Sequence, residues 1–238
     1  MSPSLIRLIL AWFVHLYTAL GAVVGFLTIL AIEQAGFRQA FFLMALAVII
    51  DCTDGTLARA ARVTEIIPWF DGALLDEIVD YLNYVIVPAL FLLRGNLLPP
   101  PDALWLALLP LIASAYGFCQ RDAKTADYFF LGFPSYWNIV AFYLYVLQMP
   151  LWVNAFLLIA LSILVFVPIR YIYPSRSPRF RTPTNILGAL WGAAMFYLIY
   201  RLPDPPPTLT LASLAFPIYY TVLSLWLEVR RAVDARRD

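Results

Sequence analysis

Apolar stretches long enough to cross a lipid bilayer follow one another along almost the whole 238-residue chain. A membrane helix needs about 20 mainly apolar residues, because at about 1.5 Å per residue that length matches a hydrocarbon core of about 30 Å. Measured with that ruler, the sequence offers eight candidates, at 5–32, 39–61, 69–93, 103–120, 135–149, 151–172, 184–201 and 208–231. The fifth is short, and only Met149 and Pro150 separate it from the sixth, so a seven-span count with one re-entrant segment is the alternative. Composition agrees: 63% of residues are hydrophobic and 13% charged, against about 25% charged in soluble domains. That leaves too little polar surface to coat a water-soluble globule. The expectation is an all-α, polytopic transmembrane helix bundle, one domain covering 1–238 without internal repeats or long linkers.

Basic residues set the orientation. With the N-terminus inside, inner segments hold Arg7, Arg59, Arg62, Arg121, Lys124, Arg170, Arg176, Arg179, Arg181, Arg230, Arg231, Arg236 and Arg237. Outer segments hold Arg38, Arg94 and Arg201. Thirteen against three is a strong positive-inside asymmetry, and it predicts cytoplasmic N- and C-termini. The proline runs Pro99–Pro101 and Pro205–Pro207 both fall in outer loops, where proline stops helices and stiffens turns. A net charge of +1, with no polybasic arm, argues against a nucleic-acid partner. Cys52 and Cys119 lie in or beside apolar runs and suggest no disulfide framework. The N-terminal apolar run has no obvious cleavage site and reads as a first span.

The acidic residues are not spread evenly. Seven of the fifteen lie between Asp51 and Asp80, namely Asp51, Asp54, Glu65, Asp71, Asp76, Glu77 and Asp80. Asp51 and Asp54 are spaced i, i+3 on the second span, and Asp76 and Asp80 i, i+4 on the third. Either spacing puts both side chains on one helical face. The two spans run in opposite directions from one cytoplasmic loop, with Asp51 and Asp80 each about ten residues, or about 15 Å, from it. The four carboxylates can therefore converge at one level. Each would cost about 3 kcal/mol at a helix centre, and clustered like charges repel further. Either several are protonated or a cation sits among them. Ligands that are all carboxylates suit hard ions such as Mg²⁺ or Mn²⁺ rather than zinc. Structural pairing with Arg59 and Arg62 is the plainer reading, but two arginines cannot neutralise four buried aspartates. Gly55, Ala58 and Gly72 leave the same faces without bulk, so a ligand or another helix can approach the backbone.

These residues resemble the signature of the CDP-alcohol phosphotransferases, D-x2-D-G-x2-A-R followed by G-x3-D-x3-D. Asp51, Asp54, Gly55, Ala58, Arg59, Gly72, Asp76 and Asp80 fill all eight fixed positions. The spacer between Arg59 and Gly72 has twelve residues, where most members have eight or nine. That longer spacer, the run LLDEIVDYLNYVIVP and the segment DYFFLGFPSYWNIVAFYL (127–144) resemble the family's phosphatidylcholine synthase branch. The resemblance implies condensation of choline with CDP-diacylglycerol in a bacterial inner membrane, by a homodimer. It implies that Asp51, Asp54, Asp76 and Asp80 hold a pair of divalent metal ions, Mn²⁺ or Mg²⁺, and that Asp80 is also the general base. Gly55, Ala58, Arg59 and Gly72 would line the nucleotide site. The longer spacer leaves the roles of Arg62, Glu65 and Asp71 open.

Choline carries a trimethylammonium with no conventional hydrogen-bond donor, and aromatic faces are the usual way to hold such a group. Candidates are Tyr81, Tyr84, Tyr116, Tyr136 and Trp137, with Asn83 on the Asp76 face as a further contact. Arg170, in the inner loop that also holds Arg176, Arg179 and Arg181, would attract pyrophosphate or anionic lipid, or simply serve topology. His15, the single histidine, lies mid-span and reads as a buried, hydrogen-bonded structural residue rather than a catalytic one. Two rival readings stand: a family member transferring to serine, glycerol phosphate or inositol phosphate, and a cation transporter using the aspartates as an ion site. An anionic acceptor would want spare cationic side chains within the spans, and a transporter would often show repeats or broken helices; neither is evident.

Overall fold

The computed structural model describes residues 4–120, 129–172 and 180–234. Arg121, Lys124, Asp127, Tyr128, Arg176, Arg179, Arg236 and Arg237 lie outside the described residues, as does the side chain of Arg181. Helices account for nearly all the rest. In chain order they are α1 Leu5–Glu33, α2 Phe37–Ala60, α3 Val63–Ile66, α4 Gly72–Tyr81, α5 Val87–Arg94, α6 Ala103–Cys119, α7 Trp137–Leu147, α8 Leu151–Phe166, α9 Arg181–Tyr200, α10 Pro207–Ser213 and α11 Ala215–Asp234. A wide π turn, Leu82–Ile86, joins α4 to α5, so the expected third span is one helix from Gly72 to Arg94.

Among the described residues, Leu5–Glu33, Phe37–Ala60 and Pro207–Arg231 are long and apolar enough to cross a bilayer. Ala103–Cys119, Trp137–Leu147 and Leu151–Phe166 are apolar but shorter. The 11 residues of α7 reach about 16 Å, roughly half of a hydrocarbon core. Its limits are local: Ser135 and Gln148 both have positive φ, and Pro150 caps the next helix. The sixth expected span also ends early. α8 stops at Phe166, with Val167 extended before Pro168, because the residue preceding a proline is driven out of the α region. Arg170–Ile172 then forms a strand, β2, antiparallel to β1 at Phe129–Leu131, with Phe130 facing Tyr171. This two-stranded ladder is the one departure from helix among the described elements.

α1 shows how the bundle is sorted. Its inward face carries His15, Thr18, Gly21, Gly25 and Thr28, all buried. Its outward face carries Phe13, Leu16, Leu20, Val23, Phe26 and Leu27, all exposed. Apolar out and small or polar in is the arrangement a lipid solvent selects, since burying leucine there gains nothing over hydrocarbon. Close packing then rests on small residues. A Cβ on Gly21 would lie 2.6 Å from Val79 Cγ1, so glycine is what lets α1 and α4 approach. α1 runs alongside α4, His15 against Gly72 and Gly21 against Val79. It runs opposite to α2, with Thr18 bonded to Asp54 and Gly21, further along α1, facing Ile50, earlier on α2. Further along, Phe41, Phe91 and Phe142 are fully buried, the Phe41 ring 4.5 Å from Phe91 and 5.1 Å from Phe142. These rings clamp α2, α5 and α7 by dispersion contacts. The three-helix junction of α1, α2 and α4 is thereby left to hold the polar groups.

Candidate active site

One oxygen from each of Asp51, Asp76 and Asp80 comes together so that all three lie within 4.8 Å of one another. Asp51 comes from α2, Asp76 and Asp80 from successive turns of α4. Asp54, one turn further along α2, lines the same small cavity, together with Thr18, Ala47, Ile50, Val79, Asn83 and Tyr84. It is only 6% exposed and accepts a 2.8 Å hydrogen bond from the Thr18 hydroxyl. Asp51 accepts a 2.7 Å bond from the Tyr84 hydroxyl. Of the four carboxylates expected to converge, Asp51, Asp76 and Asp80 form the close group, and Asp54 stands on the wall of the same cavity.

Arg59 of the motif and Arg62 of the spacer do not line this cavity. Arg59 donates to Thr56 Oγ1 at 2.9 Å, one turn back on α2, and its side chain is exposed. Arg62, in a left-handed conformation after α2, lies 3.9 Å from Glu65, and both side chains are largely exposed. The long spacer has its own structure: α3, then Asp71 as the N-cap of α4, its Oδ1 accepting from the Leu74 amide at 3.0 Å. A cap of this type satisfies one of the orphan amides of a helix start and fixes where α4 begins. Gly72 is the first residue of that helix, and a Cβ there would lie 2.5 Å from His15 Cε1. The histidine ring is buried against Phe70, 4.3 Å between centroids; contrary to the expected hydrogen-bonded histidine, its Nε2 has no hydrogen-bond partner, because aromatic rings pack around it.

The remaining candidates separate clearly. Asn83 reaches the cavity wall, but its amide donates to Gly21 O at 3.0 Å and Val79 O at 2.9 Å. Tyr81 turns to α6 and donates to Leu111 O at 2.8 Å. Tyr116 is 46% exposed and packs on Phe166. Tyr136 caps α7 and lies edge-on to Tyr220. Trp137 is fully buried, with its indole N–H donating to Ser114 Oγ at 2.8 Å. Arg170 sits in β2, paired across the ladder with Leu131. Of the five aromatic candidates, Tyr84 alone lines the aspartate cavity. Thr18 was not among the expected residues; its signal is the stripe Thr18, Gly21, Gly25, Thr28 on α1, which repeats at helical spacing.

Carboxylates gathered inside an apolar bundle, with hydroxyl donors behind them, make a site for a hard cation and for the anion that cation neutralises. The sequence profile of the CDP-alcohol phosphatidyltransferases matches residues 6–229. The chain belongs to this family, and it is a membrane-bound transferase. It is 42% identical to the phosphatidylcholine synthase of Legionella pneumophila over 224 residues, 91% of this chain and 88% of that one. It is 36% identical to the phosphatidylcholine synthase of Pseudomonas aeruginosa over 92% of each chain. With that of Rhizobium meliloti the identity is 33%, over 92% of this chain and 91% of the relative. Family members work with a divalent metal ion, and the all-oxygen donor set of Asp51, Asp76 and Asp80 fits one.

Proposed function

We propose that this chain condenses CDP-diacylglycerol with choline to give phosphatidylcholine and CMP. The observation that carries this reading is the meeting of Asp51, Asp76 and Asp80 within 4.8 Å. It occurs in a chain that is 33% to 42% identical to phosphatidylcholine synthases along nearly its full length.

Asp51, Asp54, Asp76 and Asp80 would hold a pair of Mn²⁺ or Mg²⁺ ions. Bound divalent ions supply charge neutralisation to the pyrophosphate and orient an in-line displacement. The choline hydroxyl attacks the phosphorus that bears the diacylglycerol, the bond from that phosphorus to the CMP oxygen breaks, and Asp80 takes the hydroxyl proton. A free hydroxyl is a weak nucleophile near neutral pH, which is why a base within reach is needed. Gly55 and Ala58 give the nucleotide access to the backbone, Gly72 borders that site while its Cβ position is taken up by His15, and the exposed Arg59 meets the phosphates. Arg62 and Arg170 attract the anionic substrate from the membrane surface. Among the aromatic candidates Tyr84 is favoured as the face presented to the trimethylammonium, because it lines the cavity.

The chain would cross a bacterial inner membrane about eight times as one domain, both termini cytoplasmic, and work as a homodimer. A seven-crossing path would place Arg230 and Arg231 on the opposite side from Arg7 and Arg59, against the positive-inside rule. The test is a transfer assay with the purified chain, CDP-diacylglycerol vesicles, Mn²⁺ and labelled choline, serine or glycerol 3-phosphate. Labelled lipid from choline alone is the expected result. Lipid from another alcohol would replace the acceptor, and choline uptake without lipid product would overturn the reaction.

A further inference from the structure

We propose that Tyr84 is a positioning residue: its hydroxyl fixes the carboxylate of Asp51 in the orientation that completes the aspartate cluster. This rests on the reading that the cluster holds a divalent cation. The phenol donates to Asp51 Oδ2 at 2.7 Å, in the short range of charge-assisted O–H···O⁻ bonds. A carboxylate offers about four lone-pair sites, so accepting the phenol leaves capacity for a cation while removing rotational freedom.

The backbone is shaped to deliver this contact. Asp76, Asp80 and Tyr84 follow at four-residue steps. In a regular α-helix each such step drifts by about 40° around the axis, which carries Tyr84 away from the aspartate face. The π turn Leu82–Ile86 takes an extra residue per turn and winds part of that drift back. Asn83, inside the same turn, is bonded to Gly21 O and Val79 O, which pins the turn against α1. Tyr84 then reaches across to α2. Donors that orient metal-binding carboxylates commonly change metal affinity by about ten- to a hundredfold when lost.

The test uses the full chain in lipid nanodiscs, with Mn²⁺ binding read by electron paramagnetic resonance without substrate. Tyr84→Phe removes the hydroxyl and keeps the ring; Tyr84→Leu removes both and serves the same purpose should the first not fold. The expected result is an Mn²⁺ affinity about tenfold weaker in either variant, with transfer by Tyr84→Phe recovering as Mn²⁺ is raised. Mn²⁺ affinity equal to that of the parent in a folded variant overturns the proposal. Absence of Mn²⁺ binding by the parent overturns the reading of the cluster beneath it. Choline incorporation by the parent tests the reaction separately.

Discussion

The hydroxyl of Thr18 donates to Asp54 Oδ2 at 2.8 Å, joining α1 to α2 at the level of the acidic cluster. Both residues are 6% exposed. A carboxylate held in so apolar a bundle needs a donor, since an unsatisfied buried charge is far costlier than a paired one. Thr18 also orients Asp54 toward the cavity shared with Asp51, Asp76 and Asp80. The first helix is therefore part of the site, although it carries none of the signature residues.

Replacing Thr18 by Val keeps the shape and removes the donor. A stability loss of about 1–3 kcal/mol is expected, together with a higher Mn²⁺ requirement for transfer. Thr18→Ser should restore both. Thermal unfolding in nanodiscs and Mn²⁺ activation curves measure the pair of effects.

Asp80→Asn retains an oxygen at the same position but has no basic carboxylate. CDP-diacylglycerol should still bind, as read by competition with labelled CMP, while turnover is lost. A rate close to that of the parent would remove Asp80 as the base.

Gly72 and His15 form a steric pair, with a Cβ at Gly72 placed 2.5 Å from His15 Cε1. Gly72→Ala should displace α4 or the imidazole, lowering activity and stability by about 1–3 kcal/mol. The double variant Gly72→Ala, His15→Ala should recover stability, because the obstructing ring is gone. If the two losses simply add in a double-mutant cycle, the contact does not carry the effect.

Trp137 is packed in the core and bonded to Ser114, away from the aspartate cavity. Trp137→Phe should lower the melting temperature, with a loss of about 1 kcal/mol for the missing bond. The choline KM should stay unchanged. A selective rise in that KM would return Trp137 to the binding site.

The acidic cluster is legible in the sequence because its residues are costly in a membrane and repeat at helical spacing, so that Asp51 and Asp76–Asp80 point to each other. The helices are legible because apolar length is set by bilayer thickness. Other features depend on contacts that no local pattern encodes. Thr18 meets a partner 36 positions away. Tyr81 and Tyr84 are both apolar-helix tyrosines three positions apart, yet one turns to Leu111 and the other to Asp51. That split follows from the π turn, whose hydropathy is indistinguishable from the helix around it. The β1–β2 ladder has only three residues in each strand, too few for alternation to show. Asp71 reads as one more acid in the cluster; in space it caps α4.

The most direct measurement is CMP release by the purified protein from CDP-diacylglycerol and choline, followed as Mn²⁺ is removed with EDTA and restored. Formation of phosphatidylcholine and CMP in equal amounts is predicted, stopping with EDTA and resuming with Mn²⁺. Asp51→Asn and Asp76→Asn should each lower the rate at least a hundredfold. Transfer that continues with those carboxylates replaced, or that ignores the chelator, would contradict the account.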